Sequence, residues 1–253
     1  MMYDLQKADV WKRISAFIFD KILVFILAVG LAFLLSLVTN FEGYAEQYEA
    51  RRDYWSDYYG TNLSITEENY SELTEDEKLR FDNAVTALSA DNEANYSTYM
   101  MFNLSLIIVT FGVLLSYLLL EFVVPLLFGN GQTLGKKIFG IAVMRIDSVK
   151  ISPLILFIRT VLGKYTIETM IPILILIGIG FGLIGIMGPI IILLVIVCNI
   201  IMVIATKTNS PIHDMLANTV TVDMTSQLIF DTPEALLEYK QKVHAEMAEK
   251  ADY

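Results

Sequence analysis

Cysteine, histidine and tryptophan are scarce in this 253-residue chain, with one, two and two residues respectively. The single cysteine, Cys198, excludes an intrachain disulfide, and inside an apolar run it reads as a small hydrophobe. His213 and His244 do not stand at zinc-ligand spacing. There is no HExxH, no CxxC and no Ser-His-Asp or Cys-His pairing, so no metal, cofactor or catalytic residue is expected and the chain reads as a non-enzyme. Charge is missing too, but only locally. Ile14–Val38 holds one acid and one base in 25 residues, Asp20 and Lys21. Tyr99–Phe128 holds Glu121 alone, and the 39 residues of Ile167–Ala205 hold Glu168 alone.

Apolar runs of this length are membrane spans, because about 20 helical residues cross the roughly 30 Å of hydrocarbon. The first run is too long for the apolar core of a secretory signal, so it is expected to be a retained span. As one helix, 167–205 would measure roughly 58 Å, about twice the membrane. The glycines at 178, 180, 182 and 185 and the Gly188-Pro189 break favour a hairpin of two spans, with a single tilted or re-entrant span as the alternative. The expected fold class is an all-α membrane protein. It is a small helical bundle of about four transmembrane spans, near 14–38, 100–128, 167–186 and 189–205, in the cell membrane.

The formal net charge of −10 is local as well. Asn40–Thr98 carries 14 acids against four bases, so the rest of the chain is balanced and nothing points to nucleic acid. Thr74 and Glu77 form a capping-box pattern, and Phe81, Val85 and Leu88 follow at helical spacing. The insertion 40–98 is therefore expected to be folded and partly helical, with a flexible loop as the alternative. Residues 129–166 are the opposite: Lys136, Lys137, Arg145, Lys150, Arg159 and Lys164 face one acid, Asp147. Short basic loops stay in the cytoplasm. With the basic leader of Lys7, Lys12 and Arg13, this predicts both termini inside and an extracytoplasmic insertion. Residues 138–146 alternate like a strand or form a short interfacial segment. Ser152-Pro153 opens a helix, expected to be interfacial over 153–164 because Lys164 stops it short of a span. Residues 224–253 read as a cytoplasmic tail with a short amphipathic helix.

Ionisable groups inside spans cost about 2.5–3.5 kcal/mol each on insertion scales, so each demands a partner or a role. Arg13 and Asp20 are seven residues apart and share a face of the first span. Asp20 and Glu121 fall at similar depth in antiparallel neighbours. A cation between them, a base beside them or a proton on one would relieve their repulsion. Arg159 is the obvious base, and Glu168, His213 and Asp214 complete a cluster on that side. The cluster reads either as structural glue or as a site for a proton or monovalent cation. Gly131-Gln132-Thr133-Leu134-Gly135-Lys136-Lys137 imitates a phosphate loop, but only three residues separate its glycines and Lys137 stands where a hydroxyl is needed.

Three stretches now read together. Arg13-Ile-Ser-Ala16-Phe-Ile-Phe-Asp20 opens the first span. Gly131-Gln132-Thr133-Leu-Gly135-Lys136-Lys-Ile-Phe-Gly140-Ile follows the second. His213-Asp214-Met-Leu-Ala217-Asn218-Thr219-Val closes the membrane region. In this order they resemble the RDD family of membrane proteins, over about residues 8–222. The resemblance identifies the arginine and two aspartates of the family name with Arg13, Asp20 and Asp214. The acidic insertion departs from the family's shorter connection, and Asn218 stands where glycine is common. The resemblance implies a multi-pass protein. Some relatives are associated with sodium-proton antiport, and others look like adaptors or regulators of membrane complexes. Expected partners are therefore the bilayer, a proton or monovalent cation, and either a second copy of this chain or another membrane protein.

Overall fold

The structure, a computed structural model, describes residues 5–251. Four helices are long and apolar enough to cross a membrane: α1 (Val10–Thr39), α5 (Asn92–Phe128), α7 (Pro153–Gly180) and α8 (Met187–Ala205). Their surfaces are inverted relative to a protein in water. Of the 30 residues of α1 only Ala16, Asp20 and Val24 are buried, while Phe25 and Phe33 stand 69% and 62% exposed. An acid inside and phenylalanines outside is stable only where the surroundings are as apolar as the core. The chain is thus an all-α membrane protein, as its apolar runs imply.

Two compact units divide the chain, with the boundaries falling inside α1 and α5. Ala32–Phe111 contains α2 (Phe41–Tyr59), α3 (Glu67–Ser71) and α4 (Glu75–Ala90), so the acidic insertion is folded. The capping box at the start of α4 is present, with Thr74 accepting from the Glu77 amide and Glu77 accepting from the Thr74 amide. The inward face of α4 is turned slightly from the expected one. Ala84 is fully buried, and Val85 is exposed. Asp91 ties the unit together. It caps the start of α5 by accepting from the amides of Glu93 (2.9 Å) and Ala94 (3.0 Å), and it also takes Arg51 Nε and Trp55 Nε1 from α2, both at 2.8 Å.

The second unit runs up to Leu31 and from Gly112 onward. A short helix α6 (Leu134–Ile138), strand β1 (Ile141–Arg145), a short helix α9 (Ile212–Leu216) and strand β2 (Thr219–Asp223) lie in the connections after α5 and α8, and α10 (Pro233–Ala251) follows. The strands pair antiparallel, Ile141 opposite Asp223 and Arg145 opposite Thr219. Their buried Ala142, Met144, Val220 and Val222 form one small core. The sheet thereby clamps two connections that leave the bundle at the same end.

The region 153–186 departs from its expected division. The interfacial helix over 153–164 and the span from 167 are one continuous helix, α7. Lys164 does not end it because its ammonium is buried against an acid. From Ile158 to Met170 this helix is wound in the wider π form, and α5 does the same from Leu118 to Val123. The apolar run 167–205 holds two helical segments, parted by a turn at 181–186 where Gly182 takes a φ of +69°. The expected tail 224–253 contains α10, and its last two residues lie outside those described.

Candidate functional site

The site is assembled from the ends of the spans that share one face of the bundle. Asp20 lies on α1 one turn beyond Ala16, and α6 comes close to both residues. The amide of Gly135 donates to Asp20 Oδ1 at 2.8 Å, and the Thr133 hydroxyl donates to Oδ2. This approach needs glycine: a Cβ on Gly135 would sit 2.5 Å from the Ala16 carbonyl oxygen and 2.9 Å from Asp20 Oδ1. Thr133 also caps α6 by accepting from the Lys136 amide at 3.3 Å. The Lys136 ammonium lies 3.8 Å from Asp20 Oδ2. Gln132 braces the same loop, donating to the Ile141 carbonyl at 2.9 Å, and Gly131 supplies a φ of +60°. Burial, with the like charge of Lys164 nearby, pushes the Lys136 ammonium down to about 7.

The π winding arranges the next pairs. In an α-helix, residues five apart point about 140° away from each other. The i→i+5 pattern of a π-helix brings them to nearly one face. The hydroxyl of Thr166 accordingly donates to the carbonyl of Val161, five residues back, at 2.8 Å. Arg159 and Lys164 both point inward as a result. Lys164 donates to Glu121 Oε2, and Arg159 Nε donates to Asp214 Oδ1 at 2.7 Å. All four side chains are at most 4% exposed. Thr219 adds a second bond to Asp214 Oδ1 at 2.9 Å, whereas Asp214 Oδ2 has no hydrogen-bond partner among the described residues.

Glu168, one turn beyond Lys164, takes His213. The imidazole Nδ1 stands 2.8 Å from Oε1 and 2.9 Å from Oε2, and the His213 amide donates to Oε1 at 3.2 Å. A Cβ on Gly163 would lie 2.5 Å from His213 Cβ, so glycine is what lets α9 close on α7. Burial pushes the His213 imidazole below its ordinary value. Burial alone would raise the Asp214 carboxyl, but Arg159 and then His213 hold it well below the usual range. Asn218, where the family commonly has glycine, has a φ of +49°. Asparagine is among the few residues with a side chain that enter that region cheaply.

The expected residues therefore gather, but in different couples. Arg159 does not bridge Asp20 and Glu121; it belongs to Asp214. Asp20 and Glu121 have separate lysines, Lys136 and Lys164. Arg13 pairs with neither aspartate, and its guanidinium donates to the Asn209 carbonyl at 2.7 Å. Lys21 donates to the Tyr117 hydroxyl, which shares a 2.7 Å hydrogen bond with Thr169. The partnering of Lys164, Asn209 and Tyr117 was not foreseen. The α-helical period hides Lys164, and Asn209 carries no charge to mark it.

A cavity of about 610 Å³ opens between α1, α7, α8 and the residues around α9. Arg13, Asp20, Lys21, Glu121, Lys136, Arg159, Lys164, Glu168, His213 and Asp214 all line it. Among the described residues, no group of three or more His, Cys, Asp or Glu is placed to hold a metal ion.

Four apolar helices around a buried ionic cluster define a multi-pass helical membrane protein. The model of the RDD family matches residues 7–218, most of the chain, and the chain belongs to that family. No curated protein and no solved structure matches it.

Proposed function

We propose that this RDD protein binds and exchanges a proton or a monovalent cation at the buried cluster, with His213 and Glu168 as the exchanging pair and no bond-breaking chemistry. One observation carries the reading: both oxygens of a cavity-lining carboxylate lie within 2.9 Å of an imidazole nitrogen. Histidine is the side chain whose charge changes most readily near neutral pH. The geometry favours the proton over a bare cation. Glu121 and Asp214 already face a buried ammonium and a buried guanidinium, and Asp20 faces Lys136, each of which a metal cation would have to displace. A proton only redistributes along the pairs. Four spans make a thin bundle, so translocation calls for a homo-oligomer. By the charge of its connections the protein sits with both termini in the cytoplasm and the acidic unit outside.

The test is proton and sodium flux in liposomes holding the purified full chain. Flux in the native protein that disappears in Glu168→Gln and in Asp20→Asn, at equal membrane abundance, supports the reading. No flux from well-folded native protein overturns it. A second reading, a membrane adaptor, is favoured by the insertion being a compact unit knotted at Asp91. On that reading, deleting 42–96 removes a stoichiometric partner while the spans stay inserted.

A further inference from the structure

The positive charges lining the cavity outnumber what its acids neutralise. Five lysines and arginines line it, Arg13, Lys21, Lys136, Arg159 and Lys164, against four carboxylates, so one positive charge is in excess. Lys136, Lys164 and Arg159 lie against Asp20, Glu121 and Asp214, and Glu168 hydrogen-bonds the imidazole of His213. Arg13 and Lys21 remain. Neither makes an ion pair with a carboxylate among the described residues; each donates to a neutral oxygen, of Asn209 and of Tyr117. Both are half-buried and line the cavity. A fixed cation within a span is costly unless an anion meets it, so a net positive lining with two cations outside any ion pair favours a negative ligand.

The walls specify the rest of it. Beside the charged groups the cavity is bounded by Ile14 and Phe17 of α1 and by Ile196, Ile200 and Ile204 of α8. These side chains are between 41% and 74% exposed, so the walls run without a break into the lipid-facing surfaces of the two helices. The volume of about 610 Å³ falls within the ~300–1,000 Å³ typical of small-molecule sites. Ionic groups beside apolar walls that open towards hydrocarbon fit an amphiphile and not a free anion. Arg13 lies near the end of α1, and Lys21 lies eight residues, or about 12 Å, further along it. They are placed for a headgroup entering from the membrane surface.

We propose that this cavity holds an anionic phospholipid of the surrounding bilayer, its phosphodiester drawn to the positive charge of Arg13 and Lys21 and an acyl chain along the walls of α1 and α8. The proposal is independent of proton exchange at His213, because the cations it uses are not in that pair.

The test uses the purified full chain, stripped of lipid in a neutral detergent. It is titrated with phosphatidylglycerol and with phosphatidylcholine of the same acyl chains, and retained lipid is counted by native mass spectrometry. The expected result is one phosphatidylglycerol per chain, held at least about tenfold more tightly than phosphatidylcholine, which is the worth of one charge-assisted hydrogen bond. The Arg13→Gln/Lys21→Gln pair should erase that preference. Ile200→Trp, at a lipid-exposed position that leaves every charge in place, should weaken binding of both lipids. Equal binding of the two headgroups in the native protein overturns the proposal, as does a preference that survives the double substitution. Oleate displacing phosphatidylglycerol at equal concentration would assign the cavity to a free fatty acid. A lipid-free dimer sealed across α1 and α8 would assign it to a second copy.

Discussion

Replacing Arg159 with methionine tests whether the buried pairs hold the bundle together. The change keeps an apolar stem of similar length and removes only the guanidinium. Asp214, 1% exposed, then keeps the Thr219 hydroxyl at 2.9 Å and the more distant His213 Nε2 at 3.9 Å. Breaking a buried pair on one side costs about 3–5 kcal/mol, because the surviving charge is left uncompensated. For a chain of this size that corresponds to roughly 6–20 °C in Tm. An ordinary interhelical hydrogen bond in a membrane is worth only about 0.6 kcal/mol, so the two explanations are well separated. Adding Asp214→Leu removes the stranded charge and should restore at least about 2 kcal/mol, since an apolar pair of similar volume is often neutral. The assay is reversible unfolding in mixed micelles, read on both single variants and the double. A loss under about 1 kcal/mol for Arg159→Met refutes the reasoning. So does a double variant as unstable as the sum of the singles.

Three other outcomes follow from the same geometry. Because burial brings Lys136 down to about 7 from 10.5, the unfolded chain binds more protons than the native one between those values. Stability should therefore rise with pH across that window and be lowest below it, and Lys136→Met should flatten the rise in pH-resolved melts. Gly163→Ala and Gly135→Ala, each forcing a Cβ within 2.5 Å of neighbouring atoms, should cost about 1–3 kcal/mol, whereas Gly30→Ala, with nothing within 4 Å, should be neutral or slightly stabilising. In a Cys198→Ser background an impermeant maleimide should label Tyr59→Cys on intact cells and Lys240→Cys only after permeabilisation; the reverse pattern would invert the proposed orientation.

Much of this fold is legible from the residues. Uncharged runs mark the spans, because hydrocarbon tolerates few unpaired charges. Thr74 and Glu77 announce the start of α4, because a cap is a local transaction between residues three apart. The membership of the charged cluster is legible too, since an ion in a span has few reasons to be there. Its couples are not. Asp20 meets Thr133 and Gly135 across 113 and 115 residues, and no local pattern encodes such a meeting. The pairing of Lys164 is hidden for another reason. Helical periodicity assumes 3.6 residues per turn, and the π winding of 158–170 breaks that assumption where the charges lie. Lys164 looked like the end of an interfacial helix because its charge interrupts the apolar run, and its buried partner Glu121 lies 43 residues away.

The order of the couples along the chain has a consequence for synthesis. Asp20 leaves the ribosome more than a hundred residues ahead of the loop that receives it. Glu121 precedes Lys164 by 43 residues, Glu168 precedes His213 by 45, and Arg159 precedes Asp214 by 55. In every case the first partner emerges in a span and must wait, uncompensated, for a segment not yet made. Arg159 and Glu168 meet their partners only when His213 and Asp214 arrive, after the last span. A chain truncated before residue 213 leaves the buried Arg159 without Asp214 and should be less stable in the membrane than the full chain.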